Sequence, residues 1–281
     1  MAILRSWGRG EAWAGEGEQL ALLGADGNVA PKAKKPRRRR PGIALGRRPS
    51  PERLGFVAHT AREGHDERHP VHVSMRRTKL APCLRSERVY RSILEQLVRA
   101  RRQGVRVVHV SVQHDHLHLI VEGKDRLDLS SQMRKLFSRI ALAVNGIAKR
   151  RGSLFRDRHH RRELSSPTQT RYALVYVLFN DRKHEAQGGG PISERMLHEL
   201  DDRTSIGWIP YANWAESARP PPDTLARLRA RNMAGASRDA PISASGTWLA
   251  QRGWFEQGGG GMRIDELPRF LPRSRNRSRY R

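Results

Sequence analysis

The pattern of apolar and polar residues predicts a small α+β domain over residues 66–190. Apolar side chains at every second position predict three strands, at 70–77, 105–112 and 116–121, and a basic loop is expected to lead into a short fourth strand at 161–164. Apolar side chains at three- and four-residue steps predict three helices, at 86–104, 129–151 and 166–186. The resulting order is β-α-β-β-α-β-α, with two β-α-β units around a central hairpin. This order predicts a ferredoxin-like antiparallel sheet with helices packed on one face.

The segments that flank this domain have a different composition. Residues 1–65 are rich in glycine, proline and charge, and they include the arginine run 37–40, which predicts a disordered basic arm. Such an arm either slides on phosphates or is a spacer without a role. Residues 191–281 predict a partly disordered C-terminal extension that contains proline, glycine and tryptophan. Within it, 220–222 and 258–261 resemble linkers, and 247–255 is expected to form a short helix docked on the core.

The third predicted strand carries two histidines on one face. Side chains alternate along a strand, so His116 and His118 point the same way, and their imidazoles can hold one metal ion. Surface histidines without a ligand would show the same spacing. The intervening and following apolar side chains point to the opposite face and can be buried: Leu117, Leu119 and Val121. The preceding strand is expected to bury Val108, Val110 and Val112 together.

The last predicted helix carries a tyrosine and an asparagine one turn apart. Tyr176 and Asn180 are four residues apart and share a face, and Tyr172 lies one turn earlier on the same row. A tyrosine hydroxyl beside a bound metal ion can attack a phosphodiester. Either tyrosine could instead be a half-buried helix residue with a satisfied hydroxyl.

These features, in this order, resemble the single-tyrosine HUH transposases, in particular the REP-associated tyrosine transposases. The resemblance covers residues 69–186 and rests on His-Leu-His at 116–118, Gly-Ser-Leu-Phe-Arg-Asp-Arg at 152–158 and Tyr-x-x-x-Asn at 176–180. It implies the same fold and a catalytic Tyr176 that forms a 5′-phosphotyrosine intermediate. It also implies a Mg²⁺ or Mn²⁺ ion held by His116, His118 and Asn180.

The sequence departs from the family pattern beside both motifs. His114 and Asp115 precede the first motif histidine where the family has Pro-Asn, and Asp181 and Arg182 follow Asn180 where the family has Pro-Val. These changes leave room for a decayed element that only binds DNA. Glu122 is a rival third ligand, but four residues of strand place it about 13 Å from His118, which favours Asn180.

The charge balance indicates a polyanionic partner. The 281 residues include 54 Lys+Arg against 28 Asp+Glu, for a formal net charge of +26. General arginine enrichment in a GC-rich genome would contribute to the same excess. The predicted contacts to DNA lie on the second helix and on the loop after it: Arg134, Lys135, Phe155, Arg156, Arg158, Arg161 and Arg162. Phe155 could stack on a base or pack in the core, and the sequence leaves both open.

Cys83 is the single cysteine, which excludes an internal disulfide and a cysteine-based zinc site. With no transmembrane stretch and no secretory signal in the sequence, we expect a cytoplasmic, nucleoid-associated protein that does not contact membranes. The resemblance predicts that the protein is a metal-dependent endonuclease and strand transferase of a mobile element, acting on single-stranded, hairpin-forming DNA. The resemblance also allows a homodimer. The alternatives are a non-catalytic DNA-binding protein on the same fold and a phosphoesterase that uses water.

Overall fold

Four antiparallel strands form one sheet in the order β2-β3-β1-β4. They are β1 (Val71–Arg76), β2 (Arg106–Val112), β3 (His116–Glu122) and β4 (His160–Glu163). The computed structural model describes residues 64–187, 193–194, 198–235 and 238–268. With the β-α-β-β-α-β element order, this strand order is that of a ferredoxin-like sheet, so the predicted fold class is confirmed.

Helices α1 (Glu87–Arg102) and α2 (Arg126–Ile147) cover one face of the sheet. Their apolar stripes pack on the strand residues that alternate with the histidines, including Leu117, Leu119 and Val121. Helix α2 begins three residues earlier than predicted because the Asp125 carboxylate caps it, accepting the backbone N–H groups of Leu127 and Asp128. No helix within the described ranges is long and apolar enough to cross a lipid bilayer.

A β-bulge in β2 changes which valines face these helices. Val107 pairs with Val121 and His109 pairs with Ile120, so Val108 is the extra residue. The bulge reverses the alternation, and the face that packs on α1 and α2 carries Val107, Val110 and Val112. The prediction that Val108 shares this face is therefore wrong. The same reversal turns the His109 side chain toward the opposite face, where its Nδ1 lies 3.1 Å from Ser205 Oγ.

The opposite face of the sheet carries a third helix and its own apolar cluster. Helix α3 (Pro167–Leu178) begins at the capping residue Ser166, as predicted, and buries Leu174 and Leu178 against Ile120 of β3. The predicted single helix 166–186 is two helices, because Phe179 has φ −115° and ψ 32° and ends α3. Helix α4 (Asn180–Gln187) then starts at Asn180.

The described part of the C-terminal extension packs against the domain. It contains α5 (Pro222–Asn232), a π-helical turn (Leu249–Gly253) and α6 (Trp254–Glu256), and it buries Trp214 and Trp254 in the second cluster. Neither proposed linker behaves as one, since Pro222 begins α5 and a Cβ added to Gly258 would lie 2.2 Å from Trp254 O. All described residues belong to one compact unit, Pro49–Arg281. The predicted arm before residue 64 and the tail after 268 lie outside the described residues.

His109 makes the stability of this fold sensitive to acid. Burial lowers the pKa of His109 from 6.5 to about 4. Below pH 6.5 the unfolded chain therefore binds a proton at His109 that the folded chain refuses, and stability falls as the pH drops toward 4. We expect His109→Gln to reduce this fall by up to about 3 kcal/mol, measured as the free energy of urea unfolding near pH 7 and near pH 4.5. A fall equal to that of the wild type, or of the exposed control His198→Gln, would contradict this assignment.

Candidate active site

The register of β1 and β3 assembles three histidines on the face that carries α3. His116 and His118 lie on this face of β3, with ring centroids 4.6 Å apart. Strand β1 pairs antiparallel with β3 and places His72 on the same face. His72 Nε2 lies 3.0 Å from His118 Nδ1, which is hydrogen-bonding distance. The two predicted histidines therefore do meet, and a third imidazole supports one of them.

His72 is an uncharged hydrogen-bonding neighbour of His118. Burial, with smaller contributions from the charges of Arg162 and Lys183, lowers the pKa of His72 from 6.5 to about 4, so His72 is neutral at neutral pH. A neutral His72 can accept the Nδ1–H of His118 through Nε2. In that tautomer the lone pair of His118 is on Nε2, the nitrogen that would coordinate an ion.

Asp115 orients His116 in a similar way. The Asp115 carboxylate lies 2.5 Å from His116 Nδ1, and it also accepts a hydrogen bond of 2.6 Å from Arg76 Nη2. Burial raises the pKa of Asp115, but the hydrogen bonds and charges of His116 and Arg76 outweigh it, so the net pKa is lowered. An ionised Asp115 holds the proton of His116 on Nδ1 and leaves the lone pair on Nε2. A carboxylate behind an imidazole is a common arrangement for a metal-binding histidine.

Tyr176 approaches this cluster from α3. Its ring centroid is 5.2 Å from that of His118 and 5.7 Å from that of His72, in edge-to-face contacts. Lys183 of α4 donates a hydrogen bond of 2.8 Å from Nζ to the Tyr176 hydroxyl. An ammonium group at this distance stabilises a phenolate electrostatically. All of these side chains come from one chain.

A cavity of about 400 Å³ opens over this group and has a basic rim. Tyr176 lines it and Tyr172 does not. Of the predicted DNA contacts, Arg156 and Arg158 line the cavity. Arg161 donates a hydrogen bond to the backbone carbonyl of Gly64, and Arg162 lies close enough to His72 to affect its pKa. The positive charge expected for a phosphate contact is therefore present beside the histidines and tyrosine.

Two of the other predicted DNA contacts lie on α2, over the opposite face of the sheet. Arg134 and Lys135 are exposed there. Arg134 borders a second hollow that shares Arg156 and Arg158 with the histidine cavity, so basic residues continue from one to the other. Lys135 borders a separate cavity at the other end of the sheet. Arg134 and Lys135, although adjacent in sequence, therefore lie beside different cavities.

Phe155 is a core residue. Only 8% of its surface is exposed, and its ring makes an edge-to-face contact with Phe137 at 5.5 Å between centroids. Phe155 therefore packs in the core, which is one of the two roles that the sequence left open, and its contact with a base stays a prediction. His159 also lies near Phe137, whereas His160 lines the histidine cavity, so these neighbours face opposite ways as expected for a strand.

Asn180, the predicted third metal ligand, is buried next to Tyr176. Asn180 is fully buried, is not among the cavity-lining residues and donates from Nδ2 to Tyr176 O at 3.2 Å. Its Oδ1 is buried and accepts no hydrogen bond from the described residues. The rival Glu122 is bound by Arg106, Gly246 and Thr247. Two oriented imidazoles fit a divalent ion. The described residues hold no group of three His, Cys, Asp or Glu side chains that could bind a metal. A third ligand from Asn180 stays a prediction.

Sequence reasoning missed His72 and Lys183 at this site. The strand pattern already placed His72 on the polar face of β1, but the pairing of β1 with β3 was needed to bring it to His118. Lys183 follows Tyr176 by seven residues, which on a continuous helix is two turns along the same face. A basic residue at that spacing was a usable signal.

Among the comparisons with known proteins, only the comparison of structures finds similar proteins, and the similarity is distant. No protein-family model and no curated protein sequence matches the chain. A solved structure described as "Structure of the REP associates tyrosine transposase bound to a REP hairpin" is similar, with 16% identity and a TM-score of 0.37. The similarity covers 48% of this chain and 90% of that one. A similarity this low does not transfer a function.

Proposed function

We propose that this protein is a metal-dependent transesterase that cleaves and rejoins single-stranded DNA, with Tyr176 as the nucleophile. The observation that carries the proposal is the contact of Tyr176 with both His118 and Lys183 at one basic cavity. A nucleophilic hydroxyl, oriented imidazoles and cations for a phosphate are the groups that this reaction requires. The solved REP-associated transposase that resembles this chain was bound to a DNA hairpin, which suggests hairpin-forming DNA as the substrate to test first.

The proposed reaction exchanges one phosphate ester for another. The Tyr176 oxygen forms a bond to phosphorus, the bond from phosphorus to the 3′ oxygen breaks, and the DNA is left with a free 3′-hydroxyl. The proton lost by the phenol balances the proton gained by the leaving oxygen. Because the number of phosphate ester bonds is unchanged, a 3′-hydroxyl can later reverse the step without ATP.

The residues around the cavity divide this work. Lys183 donates a hydrogen bond to the attacking oxygen of Tyr176, and Arg156 and Arg158 contact phosphate on the incoming strand. His116 and His118, held by Asp115 and His72, would bind Mg²⁺ or Mn²⁺, which as a Lewis acid would polarise the phosphate. Tyr176, His116 and His118 line one cavity of a single chain, so the proposed reaction does not need a partner subunit to supply the tyrosine, whether or not the protein dimerises.

The deciding experiment is detection of a covalent protein–DNA adduct. The full-length protein is incubated with a labelled single-stranded oligonucleotide that contains a hairpin, with Mn²⁺ and then with excess chelator. We expect a labelled protein band that survives denaturing electrophoresis and is lost with chelator. Salt-sensitive binding without any adduct would overturn the proposal and favour a non-catalytic DNA-binding protein. Cleavage with no adduct would favour hydrolysis by water.

Lys183→Met is expected to slow adduct formation about 100-fold, because it removes the hydrogen bond and the charge beside the attacking oxygen. The hydrogen bond from Nζ to the Tyr176 hydroxyl motivates this expectation. Rates are compared in single-turnover reactions at saturating DNA, with Lys79→Met as the control because Lys79 is exposed and outside the cavity. Equal rates for the two variants would remove Lys183 from the mechanism.

A further inference from the structure

A second cavity lies at the other end of the sheet from the histidines. It measures about 1070 Å³ and shares no lining residue with the histidine cavity. On β3, His116 lines the first cavity and Glu122 lines the second. Six residues of strand separate them, or about 20 Å at the usual rise per residue. A ligand in this second cavity would therefore bind apart from Tyr176.

The C-terminal extension builds one wall of this cavity around the buried Glu122. The Glu122 carboxylate accepts hydrogen bonds from the backbone N–H groups of Gly246, at 2.9 Å, and Thr247, at 2.8 Å. It also accepts the Thr247 hydroxyl, at 2.9 Å, and Arg106 Nη2, at 2.7 Å. These contacts fix the chain on the end of the sheet just before Trp248. The buried, fully hydrogen-bonded Glu122 carboxylate thus fixes the backbone position of Trp248.

Trp248 presents an indole ring at this cavity. The side chain lines the cavity and is 45% exposed, whereas Trp214 and Trp254 are each 2% exposed. The ring rests against Gly253, because a Cβ added there would lie 2.7 Å from Trp248 Cζ3. The π-helical turn Leu249–Gly253 brings the two residues together. One part of the indole packs against Gly253 and the rest is exposed, so a planar ring can stack on it.

The same cavity holds an excess of positive charge without partners. The side chains of Lys124, Lys135 and Arg139 line it and make no hydrogen bond or ion pair with the residues that the structure describes. The Nη1 atom of Arg139 is buried and has no hydrogen-bond partner among the described residues. Three carboxylates line the cavity. Glu122 and Asp128 are hydrogen-bonded within the protein, so only the exposed Glu67 remains to offset the charge of these cations. The cavity is therefore suited to an anion.

We propose that this cavity binds an unpaired nucleotide of single-stranded DNA, with the base stacked on Trp248 and its phosphate held by Lys124, Lys135 and Arg139. A base and its phosphate are the pair of groups that an exposed indole and unpaired cations recognise together. The volume is large enough for a nucleotide. This binding extends the proposed function by a second contact with the strand, and it stands whether or not Tyr176 reacts.

The test compares binding of a labelled oligothymidylate by the full-length chain carrying Tyr176→Phe, so that no covalent capture occurs. We expect Trp248→Leu to weaken binding about 10-fold in fluorescence anisotropy. Trp248→Phe keeps an aromatic ring and should retain most of the affinity. Tyr211→Leu is the matched control, because Tyr211 is 38% exposed and does not line the cavity. Thermal unfolding of each variant checks that the extension stays folded.

A second arm tests the phosphate contacts through salt dependence. The double variant Lys135→Ala, Arg139→Ala removes two lining cations, and we expect the slope of log affinity against log salt to fall by about 1.4. The control is Arg88→Ala, Arg99→Ala, which removes two exposed arginines of α1 that lie outside the cavity. This control matches the change in net charge.

Three results would overturn the proposal: equal effects of Trp248→Leu and Tyr211→Leu, equal salt slopes for the two double variants, or equal binding of a blunt duplex, whose paired bases cannot stack on an indole. Adduct formation by the wild-type protein on a hairpin oligonucleotide is measured separately. If no adduct forms but oligonucleotide binding still depends on Trp248, the transesterase proposal alone is contradicted. If an adduct forms but binding does not depend on Trp248, the proposal for the second cavity alone is contradicted.

Discussion

Tyr176→Phe should abolish the covalent adduct with single-stranded DNA, with a loss of at least about 10³-fold. The substitution removes one oxygen and leaves the ring that packs against His118 and His72. Binding of the same oligonucleotide should change little, because the cations that line the cavity remain. Adduct formation is measured by denaturing electrophoresis and binding by fluorescence anisotropy, both with the full-length protein.

Tyr172→Phe is the matched control for this prediction. Tyr172 lies on the same helix, one turn before Tyr176, and does not line the histidine cavity. It should form the adduct at the wild-type rate. An adduct that persists in Tyr176→Phe and disappears in Tyr172→Phe would transfer the nucleophile to the other tyrosine. An adduct in both single variants would exclude a tyrosine of α3 as its sole source.

The sheet and its helices were predictable because their side chains alternate with clear periods. The buried stripe of α2 and the Leu117, Leu119 and Val121 face of β3 needed only their sequence spacing. The bulge at Val108 was not predictable, since valines 107 and 108 are adjacent and their order along the chain does not show which of them faces the helices. The break at Phe179 was missed for a related reason, because no glycine or proline marks it and tertiary packing decides it.

The C-terminal extension shows a different limit of sequence reasoning. Proline and glycine clusters are typical of linkers, yet Pro222 opens a helix and Gly258 permits a close approach to the backbone of α6. Both residues have a local role that sequence alone cannot distinguish from flexibility. The pairing of Trp248 with Gly253 depends on a π-helical turn, which local propensity does not predict.

For the candidate active site, sequence supplied the residues on single elements and missed the contacts between elements. His116 and His118 follow from the parity of one strand, whereas His72 required the pairing of β1 with β3. Lys183 required the path of the chain from α3 into α4. Asn180 lies one turn after Tyr176, as its spacing predicts, but sequence alone did not show that its side chain is fully buried.

Replacing both His116 and His118 by alanine should reduce adduct formation by about 10²-fold or more and remove tight binding of Mn²⁺. Each imidazole has its Nδ1 within hydrogen-bonding distance of Asp115 or of His72, which leaves Nε2 of both rings as the atom that would coordinate the ion. Mn²⁺ binding is followed by electron paramagnetic resonance in the absence of DNA, which gives a readout independent of catalysis. His114→Ala is the control, because His114 is exposed and does not line the cavity.

The same titration assigns the third ligand. Asn180 Oδ1 is buried and accepts no hydrogen bond from the described residues, which normally costs about 1–3 kcal/mol. If a bound ion satisfies this oxygen, Asn180→Leu weakens Mn²⁺ binding. If Asn180 only packs, the variant changes the free energy of unfolding and leaves Mn²⁺ affinity at the wild-type value. Unchanged Mn²⁺ affinity in the double histidine variant would contradict the metal site itself, because the ion would then be bound by other side chains.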